Sequence, residues 1–155
     1  TDLIAWAEKP GGLSTIPLDE RLAVAALICR AVGQVHDLGV LHKDLKPANI
    51  LIELADAAPA IKLADFRSGR LLDDTVLDSF QITNPGSLDA DLGADEPRSG
   101  TLAYRAPELT GDALPTVKSD IYALGLILYQ LTVGDFTRPL APGWEDTIDD
   151  PLLRE

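Results

Sequence analysis

Residues 120–133 are apolar on nearly every side of a helical projection, with Gln130 breaking the run 121–133. A helix without a polar face has no side to turn to water, so the rest of the chain must enclose it. Asp120 stands where the helix dipole favours an acid, and Gly134 suits the stop. The run is too short to cross a bilayer. A chain of 155 residues fits one domain with a single core. The central helix 120–133 is therefore expected to be the axis of that core.

The remaining elements are expected to pack around this axis. Residues 17–38 read as a helix, with Pro17 at its first position and Gly39 as its stop. Leu22, Ala25, Cys29, Val32 and His36 recur at three-to-four spacing and define the expected inner stripe. Cys29, the single cysteine, excludes an intrachain disulfide and is expected to be a buried, inert thiol. Thr1-Asp2 caps a short helix over 3–9, halted by Pro10-Gly11-Gly12. Residues 49–53 and 60–65 read as two short strands joined by a turn at 54–59. Such a ribbon would hold Asn49 and Asp65 near each other. Residues 83–100, rich in Gly, Pro, Ser and acid, read as a mobile loop.

Thirteen Lys and Arg against 25 Asp and Glu leave a net charge of −12. That argues against nucleic acid and anionic membrane as partners, since both need basic patches. No basic stretch followed by an apolar segment opens the chain, so no signal peptide is read and a cytoplasmic location is expected.

The chemistry lies in residues 42–51. Asp44, Lys46 and Asn49 fall on a polar loop after Gly39-Val40-Leu41, a helix stop and a short apolar strand. Asp44 can orient an attacking hydroxyl or accept its proton, Lys46 can reach a phosphate, and Asn49 offers an oxygen to a hard cation. Downstream, the apolar run Ile61-Lys62-Leu63-Ala64 ends on Asp65-Phe66. Then come Gly100-Thr101-Leu102-Ala103-Tyr104-Arg105-Ala106-Pro107-Glu108 and Ser119-Asp120-Ile121-Tyr122-Ala123-Leu124-Gly125. Taken singly these are weak signals. An apolar strand ending in Asp usually just reaches solvent, and Ala-Pro-Glu usually enters a helix. All four in order and spacing resemble the eukaryotic-type Ser/Thr protein kinases, in a bacterial-like form.

That resemblance implies a fold that is mainly α with a small β-ribbon: a kinase-like large (C-terminal) lobe, incomplete at both ends. The whole of 1–155 would be a partial kinase domain. Its parts would be a catalytic loop at 40–53, a metal-binding segment at 60–69, an activation loop at 65–108 and the central helix at 120–133. It implies transfer of the γ-phosphoryl of ATP to Ser/Thr of a protein substrate, with Mg²⁺ as cofactor. Asp44 and Lys46 would be catalytic. Lys46, Asn49, Leu51 and Asp65 would meet ATP, with Asn49 and Asp65 holding the metal. Leu51 would floor the adenine above Ile127 and Leu131. Thr101 would bond the catalytic groups near the acceptor. Glu108 would await an arginine later in the domain, beyond Glu155, and so be left unpaired. His42 and Phe66 would join a stacked column, and Asp120 would hold the catalytic-loop backbone.

Two departures matter. Arg67 stands where the family has glycine after the Asp-Phe pair, which should restrict a backbone flip. Lys43 stands where arginine is usual beside the catalytic Asp, so pairing to a phosphorylated loop residue (Thr75, Ser79, Thr83, Ser87 or Ser99) should be weaker. The glycine-rich loop and strand lysine of a complete kinase are not in this stretch, so the fragment is expected to be inactive alone. Two other classes fit part of the pattern. A pseudokinase binding module is opposed by intact Asp44, Lys46, Asn49 and Asp65. A small-molecule phosphotransferase is opposed by Thr101 and Ala106-Pro107-Glu108.

Overall fold

The computed structural model describes residues 1–8, 11–54, 59–66, 70–71, 102–110, 113–143 and 148. Helix α1 (Leu3–Ala7) is capped by Asp2, whose Oδ1 accepts the Ala5 N–H at 2.7 Å. Helix α2 (Leu18–Asp37) follows Pro17 and closes at Leu38, ahead of Gly39 at φ 71°. Strand β1 (Val40–Leu41) leads into the loop, which ends in a 3-10 turn at Pro47–Asn49. Strands β2 (Ile50–Leu54) and β3 (Pro59–Leu63) form an antiparallel ribbon with Ile50 opposite Leu63. A second ribbon joins β1 to β4 (Arg70–Leu71). Helix α3 (Val117–Val133) comes last, after 3-10 turns at Leu102–Tyr104 and Pro107–Thr110.

The expected central helix is present and begins earlier than residue 120. Thr116 takes the N-cap and forms a capping box with Ser119, a start signal that lies ahead of the apolar run. Gly134 ends it at φ 78°. A Cβ there would lie 3.0 Å from Ser14 Cα, so glycine answers both the dihedral and the space. Ile127 and Leu131 are fully buried, packed with Ile28 and Val32 of α2, Ile50 and Ile52 of β2, and Leu3 and Trp6 of α1. Leu126, Tyr129 and Ile148 form a smaller cluster on another side of α3.

The inner face of α2 differs from the expected stripe. Ala25 and Val32 are buried, but their companions are Arg21, Val24 and Ile28. Leu22 is 37% exposed and Cys29 is exposed, so the thiol is not a core residue. Apolar residues occupy almost every side of α2, so their spacing alone does not choose a face. Arg21 decides the rotation. Its Nε donates to Ile16 O at 3.0 Å, and its Nη1 donates to Leu131 O at 2.5 Å and Thr132 O at 2.7 Å. The buried guanidinium thus meets the C-terminal carbonyls of α3, where the helix dipole favours a cation. Desolvation holds its pKa below the usual arginine value.

Candidate active site

The loop between β1 and β2 is held from beneath by one carboxylate. Asp120, in the first turn of α3, is 2% exposed. Its Oδ2 accepts the His42 N–H and its Oδ1 the Lys43 N–H, both at 2.8 Å. His36 Nε2, in the last turn of α2, lies 3.0 Å from the same Oδ2 and must donate to it. Three donors compensate the buried charge. Lys43 has φ 66°, a left-handed conformation that costs energy for a side chain with a Cβ. The bond to Asp120 supports that kink, and the kink turns the chain into Asp44.

Beyond the kink the polar side chains converge. Lys46 Nζ donates to Asp44 Oδ2 at 2.6 Å. Asn49 Nδ2 donates to Asp44 O at 2.8 Å and to Asp44 Oδ2 at 3.2 Å. Both of these Asn49 bonds use its nitrogen, and neither engages its amide oxygen. Pro47 and Leu45 are buried and anchor the intervening turn.

Asp65 lies two residues past β3, and Asn49 immediately precedes β2. Ala64 N donates to Asn49 O at 2.8 Å, so both residues sit at one end of the ribbon. Asp65 is exposed with φ 62°, a conformation Asp tolerates better than most residues. An amide oxygen and a carboxylate are hard donors, and two of them suit a small divalent cation that keeps water and phosphate as its other ligands. Among the described residues no cluster of three or more His, Cys, Asp or Glu offers a rival metal site.

His42 ties this end of the ribbon to the loop. It is 1% exposed, and its Nε2 donates to Ala64 O at 3.0 Å. Its Nδ1 has no hydrogen-bond partner among the described residues. Burial lowers its pKa, against smaller opposing effects from Ala64 O, Asp120 and Asp44. The ring stands 4.7 Å from that of Phe66, tilted by 45°. Phe66 keeps 37% exposure, so it lies at the rim of the core and not within it. Leu51 is likewise 37% exposed, while Ile50 and Ile52 on the other face of β2 join Ile127 and Leu131 inside.

Glu108 departs from expectation. It is not unpaired, because its Oε1 accepts the Ser119 Oγ–H at 2.9 Å. The sequence reading missed Ser119 as a contributor, and it also missed His36, which it placed in an apolar stripe. His36 acts through Asp120, 84 residues away, and Ser119 through Glu108, eleven residues away and outside its helix, so no helical or strand spacing marks them. Thr101, Arg67, Gly69 and the loop hydroxyls from Thr75 to Ser99 lie outside the described residues, as does the 83–100 segment.

Residues 12–145 match the protein kinase domain. The serine/threonine-protein kinase PknD of Chlamydia abortus is 36% identical over 115 residues, covering 74% of this chain and 12% of that protein. PknB of Mycobacterium leprae is 28% identical over 141 residues, covering 88% and 20%. A serine/threonine-protein kinase of Schizosaccharomyces pombe is 36% identical over 117 residues, covering 71% and 18%. The chain therefore spans a fifth or less of the length of these relatives. With helices around a small antiparallel ribbon and a loop that gathers Asp44, Lys46 and Asn49, the chain belongs to the protein kinase domain family.

Proposed function

We propose that this chain is large-lobe portion of a Ser/Thr protein kinase, which transfers the γ-phosphoryl of ATP to hydroxyls of a protein. The observation that carries the reading is the contact of Asp44, Lys46 and Asn49 on a loop whose backbone Asp120 holds. Among the described residues, Lys46 and Asn49 bond Asp44 through Oδ2, and Oδ1 would receive the acceptor hydroxyl. The acceptor oxygen bonds to the γ-phosphorus, the bond to the β–γ bridging oxygen breaks, and ADP departs. Asp44 takes the hydroxyl proton. Lys46 neutralises charge on the transferring group. Asn49 and Asp65 would hold Mg²⁺, which supplies charge compensation on the ATP phosphates. Leu51 would meet the adenine ring with its exposed side chain. The segment ending in Glu108, with Thr101, would face the protein acceptor.

The test is incubation of the full-length gene product with γ-labelled ATP and a general acceptor protein, followed by phosphoamino-acid analysis. Label on serine and threonine is expected. Label on tyrosine alone, or only on a small-molecule acceptor, would overturn the reading. The net charge of −12 supports the absence of nucleic acid and anionic lipid among its partners. No helix among the described residues is long and apolar enough to cross a membrane. A cytoplasmic site of action accords with this reading.

A further inference from the structure

The segment 102–110 is pinned to α3 at two places. Toward the helix C-terminus, Tyr104 Oη donates to Gln130 Oε1 at 2.8 Å, and Gln130 Nε2 donates to Arg138 O at 3.0 Å. Both ends of that buried amide are used. At the helix N-terminus, Ser119 Oγ donates to Glu108 Oε1 at 2.9 Å and accepts the Thr116 N–H at 3.2 Å. Ala106, between the pins, is 1% exposed, and Leu109, just past Glu108, is 8% exposed. The segment is thus a strap laid along the helix, fastened by polar side chains at both ends.

The N-terminal pin has a particular neighbour. Ser119 is 5% exposed and precedes Asp120, the residue that holds the catalytic-loop backbone at His42 and Lys43. Two consecutive residues of one helical turn therefore hold two separate segments. Asp120 fixes the loop that carries Asp44, and Ser119 fixes the strap through Glu108. A rotation of that turn would move both together, and loss of the Ser119 bond would free only the strap.

We propose that Ser119 is a positioning residue: its hydroxyl, bonded to Glu108, sets the strap 102–110 relative to Asp44. This rests on the reading of Asp44 as the phosphoryl-transfer residue and of the strap as the surface facing the protein acceptor. The partner of Glu108 lies on the central helix, eleven residues on.

The experiment uses the full-length gene product with γ-labelled ATP and a Ser/Thr peptide acceptor, alongside amide hydrogen exchange. Ser119→Ala and Glu108→Ala should each raise the peptide KM about fivefold and leave the ATP KM unchanged. The combined variant should be no worse than either alone, because both remove one bond. Glu108→Gln keeps an acceptor oxygen and should retain most of the peptide affinity. Exchange at Arg105 N–H and Leu109 N–H, which close the two turns of the strap, should accelerate in both alanine variants. Thr116→Ala weakens the helix cap without touching Glu108 and is the control. If Thr116→Ala reproduces the kinetic and exchange changes, or if the two alanine variants leave both readouts at wild-type values, the proposal is overturned. Strap exchange that responds as stated in a protein transferring no phosphate would reject the kinase reading and leave the clamp standing.

Discussion

Lys43 and Asp65 are the two non-glycine residues with positive φ among those described, and both adjoin the proposed chemistry. Strain at Lys43 persists because Asp120 accepts its N–H. Asp120→Asn would replace one carboxylate oxygen by an NH₂ group facing a backbone donor. The expected cost is about 2–3 kcal/mol of stability, read as a lowered Tm, with faster exchange at the Lys43 N–H. Unchanged exchange there would show that the loop is held by other contacts. His42 makes a prediction in pH. Its folded pKa lies below the ordinary 6.5 because burial disfavours the charged ring. Above 6.5 both folded and unfolded forms are neutral, and no penalty exists. As pH falls through 6.5 the unfolded chain gains a proton that the folded one refuses, so stability drops until the lowered folded value is reached. His42→Gln retains a donor for Ala64 O and should show a smaller Tm loss between pH 7.5 and 5.5 than the wild type. Equal losses would place the titration elsewhere.

At the scale of elements, α2 and α3 are joined by Arg21 as well as by apolar packing. Arg21→Lys keeps the charge but loses the planar fork that serves Ile16 O from Nε and Leu131 O and Thr132 O from Nη1. We expect it to cost about 2–4 kcal/mol, and Gly134→Ala to cost about 1–3 kcal/mol through its positive φ and its contact with Ser14. Thermal unfolding of both variants checks this; a wild-type Tm for Arg21→Lys would mean that the charge suffices without the fork. The same residue explains what was legible in the sequence. The buried helix ending at Gly134, the ribbon over residues 50–63 and the loop that leads into the ribbon follow from periodicity and punctuation. So does the convergence of Asp44, Lys46 and Asn49, which are close in sequence. The inner face of α2 was not legible, because Arg21 reads as a surface residue until the carbonyls of Leu131 and Thr132 are seen beside it. The Glu108–Ser119 and His36–Asp120 contacts were hidden for the same reason. Each joins residues that only the fold brings together.

For the whole molecule, α3 is both the axis of the core and the base of the site. Its buried side chains hold α1, α2 and β2, and its first turn holds the loop of Asp44 and the strap of Glu108. The central claim is that this scaffold presents Asp44 to a hydroxyl and Asp65 to a nucleotide-bound cation. The direct measurement pairs phosphoryl transfer with nucleotide titration in Asp44→Asn and Asp65→Asn variants of the full-length gene product. Asp44→Asn should lower kcat by about 100-fold or more while Mg²⁺-ATP binding stays near wild type. Asp65→Asn should weaken Mg²⁺-ATP binding itself, since the metal carries the charge compensation. Equal loss of nucleotide binding in both variants, or transfer by Asp44→Asn at the wild-type rate, would contradict the account.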